Sequence, residues 1–162
     1  MPYALLALVL VILDQVVKYL VLTHIPLGGY VPFLPHVVCL TYVQNTGAAF
    51  SMFSQHTWIL AFISLVMSVV LAVALWKNFF THPLGKVTLA LLLAGAVGNL
   101  IDRTLRGFVV DMFQLLFMNF AVFNVVDICV VVGGIAAAAY YLLLADKLEH
   151  KEAPHGTADA DR

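Results

Sequence analysis

The sequence predicts a membrane all-α protein with a small β element: four transmembrane helices, both termini cytoplasmic, and a strand-rich loop at the outer interface. Three observations lead there. Of 162 residues, 63% are hydrophobic and only 10% charged, whereas soluble domains run at about 45–50% and about 25%. Four segments are apolar and long enough to cross a hydrocarbon core of roughly 30 Å at about 1.5 Å per residue. Between the first two lies a long connection, about residues 23–56, without a single Asp, Glu, Lys or Arg.

The first segment covers about residues 3–22. The N-terminal run MPYALLALVLVILDQVVKYL superficially resembles a secretory signal. It has no positive n-region and no small-x-small cleavage site, and it carries Asp14 and Lys18. It is read as a retained helix. The outer connection that follows contains VPFLPHVVCLTYVQNTGAAFS, β-branched and aromatic residues punctuated by Pro32, Pro35 and Gly47. That composition predicts strands lying on or in the membrane surface. Helices over about 57–76 and 84–101 come next, joined by the short WKNFFTHPLGK. A second outer connection over about 102–123 is extended at FVVDMF, and a fourth helix covers about 124–145. Residues 1–149 are expected to form one domain, and the polar tail 150–162, HKEAPHGTADADR from His150, a disordered cytoplasmic end.

Orientation rests on Lys and Arg beside the spans. Lys77 and Lys86 flank the second loop, and Lys147 and Lys151 follow the last helix, so that side is cytoplasmic. Arg103 and Arg106 fall on the outer side and need another explanation. A net charge of -1 with no basic cluster argues against nucleic acid. Cys39 and Cys129 have no metal or redox spacing; Cys129, inside an apolar run, reads as a small hydrophobe. His24, His36 and His56 match no metal motif and read as interfacial or exposed.

Polar and ionisable groups in a span are costly and normally face protein or water. This topology gathers nearly all of them at the outer leaflet: Asp14 and Lys18, Asn99, Asp102 and Arg103, Asn124 and Asp127, with Asp111 and Asn45 in the two outer connections. Each has a plain alternative. Asp14 and Lys18 are spaced i, i+4 as a helix ion pair, as are Asp102 and Arg106. Arg103 reads as a snorkelling interfacial arginine. Asn124 and Asp127 have the N-cap and N3 spacing of a capping box, at a helix terminus that favours a carboxylate.

Asp111 has no such explanation. It sits in an apolar strand-like run, and the return of the chain to the membrane forces it to the same face as Asp127. Two carboxyls sharing a low-dielectric site split their titrations. One protonated and one ionised carboxyl sharing a water is the arrangement by which aspartic proteases attack amides. No HExxH, GxSxG, serine triad or phosphate loop competes with it. A proton- or ion-coupled transporter subunit using buried acids is the main alternative, although a relay would spread its acids across the membrane depth. A structural membrane protein is a second alternative, but it leaves Asp111 without a role.

DQVVK, NTGAAFS, GNLIDR, VVDMF and FNVVD occur in this order over about residues 3–145. In these motifs the chain resembles the bacterial lipoprotein signal peptidases, or signal peptidase II. The resemblance implies an aspartic endopeptidase of the bacterial inner membrane with its active site on the periplasmic side. It would remove signal peptides from prolipoproteins by cutting just before the diacylglyceryl-modified lipobox cysteine. The catalytic pair would be Asp111 and Asp127, supported by Asn45, Asn99, Arg103 and Asn124; Asp14, Lys18 and Asp102 would be structural. No metal or organic cofactor is implied. The partners would be prolipoproteins, membrane lipid and cyclic-peptide inhibitors such as globomycin, with the enzyme a monomer. Val126 and Met112 depart from the family's usual Ala and Phe beside the two aspartates. Tyr30, Phe33, Tyr42, Phe50, Phe53 and Trp58 would furnish an interfacial platform that clasps the substrate, and Arg103 would meet lipid headgroup or substrate backbone.

Overall fold

The computed structural model describes residues 2–47 and 56–143. The expected tail, Phe50, Phe53 and the end of the fourth helix past residue 143 lie outside the described residues. The chain order is α1 (Pro2–His24), β1 (Tyr30–Leu34), β2 (Val38–Asn45), α2 (Thr57–Trp76), α3 (Pro83–Arg106), β3 (Val109–Leu115) and α4 (Val125–Leu143). All four helices are long and apolar enough to cross a membrane, and they turn Leu, Val, Ile and Phe outward along most of their length. Such a surface is suited to lipid and not to water.

Helix α3 is the hub, packed against α1, α2 and α4. His82 caps it by accepting from the Leu84 N–H at 3.2 Å, and Pro83 occupies its first turn. It runs one turn beyond the boundary expected near residue 101, so Asp102 and Arg103 are helical. No breaker intervenes before Gly107, which ends the helix in the left-handed region at φ 78°. Asp102 and Arg106 neutralise each other across that last turn as an i, i+4 pair.

The core is built in two parts. Ala7 and Val11 of α1, Ala90 and Ala94 of α3 and Val126 of α4 form one cluster; Val21, Ile25, Tyr42, Val110 and Met112 join α1 to the sheet. The departures at Val126 and Met112 are thus core residues with no exposed surface. Tyr42 is buried and its hydroxyl accepts from Gln44 at 2.7 Å, so it is not part of an exposed aromatic platform; Tyr30, Phe33 and Trp58 are exposed. The reason is the strand's face: Tyr42 points at α1.

Close packing of α3 depends on Gly98. A Cβ there would lie 3.0 Å from both methyls of Val126 and 3.1 Å from Asp14 Oδ2. Gly98→Val is expected to push α3 from α1 and α4, costing about 1–3 kcal/mol and lowering activity with it. Thermal unfolding in detergent checks this: a midpoint equal to wild type contradicts the packing.

The three strands form an antiparallel sheet ordered β1-β2-β3. Its register carries the functional consequence. Leu40 pairs with Phe113, but Val43 pairs with Asp111, so β2 holds one extra residue between these pairs. The bulge appears in burial too, with Thr41 and Tyr42 both buried in succession. A strand's faces alternate with period two, so the extra residue places Asn45, and not Gln44, on the face of Asp111. Bulges characteristically re-aim a side chain in this way.

Candidate active site

Asp111 and Asp127 reach one cavity from different elements. Asp111 is on β3, 1% exposed, and Asp127 is in the first turn of α4. The cavity, of about 450 Å³, is also lined by Asn45, Asn99 and Arg103, while its remaining wall is apolar: Val109, Leu115, Phe120, Ala121, Val122, Phe123, Ile128, Val130 and Val131. A second hollow of about 400 Å³ shares Asn45, Asp111 and residues 120–122 with the first and adds the polar Gln44, Thr46 and Asn119. Asp111 therefore borders an apolar space and a polar one.

Helix α4 begins with the reciprocal cap expected from its sequence. The Asp127 N–H donates to Asn124 Oδ1 at 2.9 Å, and the Asn124 N–H donates to Asp127 Oδ2 at 3.0 Å. With its oxygen committed to the cap, Asn124 directs its amide nitrogen to Asp111 Oδ1 at 2.7 Å and Asn99 Oδ1 at 3.1 Å. Asn99 Nδ2 in turn donates to Asp127 Oδ1 at 2.9 Å. Asn45 Oδ1 accepts from the Gly47 N–H, which turns Asn45 Nδ2 onto Asp111 Oδ2 at 2.9 Å. Among the described residues each of the four carboxyl oxygens thus accepts one hydrogen bond, leaving each with further acceptor capacity.

Asp111 is pushed up to about 7, first by burial and then by the neighbouring Asp127, against the opposing pull of Asn45, Asn124 and Lys18. At neutral pH the Asp111 carboxyl thus stands close to half-protonated.

Below it lies a buried ionic cluster. Lys18 Nζ is 2.8 Å from Asp14 Oδ2, 2.9 Å from Asp102 Oδ2 and 3.1 Å from Asn99 Oδ1, with Asp14, Lys18 and Asp102 all at 0% exposure. Asp14 also accepts from the Val126 N–H and Asp102 from the Val110 N–H. The cluster so ties α1 and α3 to the backbone beside each aspartate of the pair. Gln15 joins it without having been singled out by the sequence, bridging Asp14, Asp102 and the Gly98 carbonyl at 3.2–3.3 Å. Its one signal is that it is a polar residue beside Asp14 in an apolar span.

Arg103 is only half-buried, but it does not snorkel outward. Its guanidinium reaches Ser64 Oγ of α2 at 3.4 Å and the Gly47 carbonyl at 3.3 Å, and its buried Nε has no partner among the described residues. Both arginines are thus held by protein groups, since Arg106 is paired with Asp102 and reaches Gln15. His24, His36 and His56 are exposed, and Cys39 and Cys129 are buried.

A family model described as signal peptidase (SPase) II matches residues 6–143. The lipoprotein signal peptidase of Enterococcus faecalis is 43% identical over 155 residues, 96% of this chain and 95% of that one. That of Streptococcus pneumoniae is 45% identical over 136 residues, 80% and 85% of the two chains. Among solved structures, a bacterial membrane enzyme determined in meso at 2.3 Å resolution superposes with a TM-score of 0.82, at 29% identity and over 98% of this chain and 94% of that one. A second, at 1.9 Å, gives 0.80 at 31% identity over 89% and 94%.

Proposed function

The chain belongs to the signal peptidase II family, and on that premise we propose that Asp111 and Asp127 are its catalytic pair. As a family member it is a multi-pass bacterial membrane peptidase that removes signal peptides from prolipoproteins. The transporter alternative finds no support in these relationships. The observation that carries the proposal is Asn124: one side chain caps the helix bearing Asp127 and donates to Asp111, tying the two carboxyls together at a cavity.

In this reading Asp127, at a helix N-terminus and facing two fixed donors, is the base. It takes a proton from a water, and the water oxygen bonds to the scissile carbonyl carbon. Asp111 gives its proton to the carbonyl oxygen as the double bond opens. When the intermediate collapses, the carbon–nitrogen bond breaks and the leaving amine takes the proton held by Asp127, while the hydroxyl proton returns to Asp111. Side chains and water complete this cycle without a metal or organic cofactor. The substrate is a prolipoprotein cut just before a diacylglyceryl-modified lipobox cysteine, and the apolar cavity beside the pair suits such a ligand. Lys77 and Lys86 beside the second loop support cytoplasmic termini and an active site on the opposite, periplasmic side, and the family relationship supports the inner membrane. The engagement of Arg103 and Arg106 by protein groups removes the objection to that orientation. The enzyme acts as a monomer, and cyclic peptides such as globomycin would inhibit it by occupying the cavity.

Presented in bilayers with a diacylglyceryl-modified lipobox peptide and its unmodified twin, the purified protein should make one cut, before the cysteine, and strongly prefer the modified form. Mass spectrometry of the products decides it; a cut elsewhere, or no preference, overturns the substrate assignment. A pH profile tests the acid. Activity should fall as pH rises through about 7, where Asp111 loses its proton. Asn45→Leu removes a donor that favours the ionised form, so its profile should fall at higher pH than wild type. An unmoved or downshifted limb contradicts Asp111 as the acid.

A further inference from the structure

Lys18 is completely buried and lines neither cavity, so substrate does not meet it. A lysine ammonium has three donors and no acceptor, and here all three are taken, by Asp14, Asp102 and Asn99. Two carboxylates alone would account for a counter-ion. The third bond has a directional consequence, because an ammonium can face only the oxygen of an amide. With Oδ1 of Asn99 turned to Lys18, Nδ2 has to point the other way, where it meets Asp127 Oδ1 at 2.9 Å.

From this geometry we infer that Lys18 is a positioning residue for proteolysis, locking the Asn99 amide with its N–H on Asp127. The inference rests on the assignment of Asp111 and Asp127 as the catalytic pair. Without the lock, Asn99 can present its oxygen to the carboxylate, repelling it and leaving one of its oxygens without a donor. Asn124 Nδ2, at 3.1 Å from the same oxygen, favours the same orientation, but its bond is neutral and shared with Asp111. The charge-assisted bond from Lys18 is the stronger of the two. It also polarises the Asn99 amide, which strengthens donation at its far end.

A bare Lys18 substitution would leave the buried Asp14 without its cation and Asp102 with Arg106 alone, destabilising the protein for reasons unconnected with Asn99. The test therefore uses charge-balanced pairs, Lys18→Met/Asp14→Asn and Lys18→Gln/Asp14→Asn, with Lys18→Met/Asp102→Asn and Lys18→Gln/Asp102→Asn as a second background should the first fail to insert. Glutamine keeps a donor for Asn99 Oδ1 and methionine does not. Thermal unfolding and KM should be alike within each Met/Gln comparison. The methionine variant should lose kcat by about 10–100-fold, the range for removing a group that orients a functional side chain, and glutamine should recover most of the loss. In an Asn99→Ala background the Met/Gln difference should vanish. Equal kcat for the methionine and glutamine variants in whichever background folds overturns the inference, as does a difference that persists without Asn99. Wild-type turnover in Asp111→Asn or Asp127→Asn would instead overturn the catalytic pair itself, so the two failures are distinguishable.

Discussion

Asp127→Asn and Asp111→Asn are each expected to lower kcat by about 10⁴-fold or more, the scale for deleting a member of a catalytic unit. The exchange conserves shape but removes the function. At Asp127 it deletes the base, and at Asp111 it replaces an exchangeable acid proton by an amide. It also disturbs the local hydrogen bonds. Asp127 accepts from Asn99 Nδ2 and from the Asn124 N–H, so an asparagine amide would set a donor against a donor. The same holds at Asp111, between Asn45 and Asn124. Each variant should therefore lose about 1–3 kcal/mol for the unmatched polar group while still inserting. Thermal unfolding alongside single-turnover cleavage separates the two effects. A substantially active Asp127→Asn enzyme would refute the assignment.

Asn124→Leu should give the second largest effect. It deletes the cap on the Asp127 N–H and the donor to Asp111 and Asn99 at one stroke. The cap alone is worth about 0.5–2 kcal/mol, and loss of a preorganised donor at a reacting group costs about 10²–10³ in kcat. Asn124→Ser separates these contributions. Its hydroxyl can cap α4 but is too short to replace the amide, so stability should return while kcat stays low. If Asn124→Ser kept both stability and turnover, Asn124 would be a cap and nothing more.

These two variants also show what was legible in the sequence. The Asn124–Asp127 cap is a local i, i+3 relation, visible in FNVVD before any fold is known. Asp111 was legible only through topology, because its donors come from residues 66 and 13 positions away. Nothing local marks Asn45 as a donor to Asp111. Its side of the strand depends on a one-residue bulge between Leu40 and Val43, and alternation alone would have selected Gln44. The spans themselves were readable from apolar length, yet the end of α3 was not. Asp102 and Arg106 look like an exit from the membrane until Lys18, on another helix, is seen to neutralise Asp102 as well. Arg103 looks like a snorkelling residue for a related reason. Its partner Ser64 is one of two serines in an apolar helix, and nothing in the sequence marks it as facing α3.

The most direct measurement is cleavage of a diacylglyceryl-modified lipobox peptide in bilayers by Asp111→Asn, Asp127→Asn and the double variant, each shown to be folded. If the two carboxyls act as one unit on one water, the double variant should be no slower than either single, all three residual rates agreeing within about threefold. Losses that multiply in the double variant, or a single variant keeping more than about a hundredth of wild-type turnover, would contradict a shared catalytic pair.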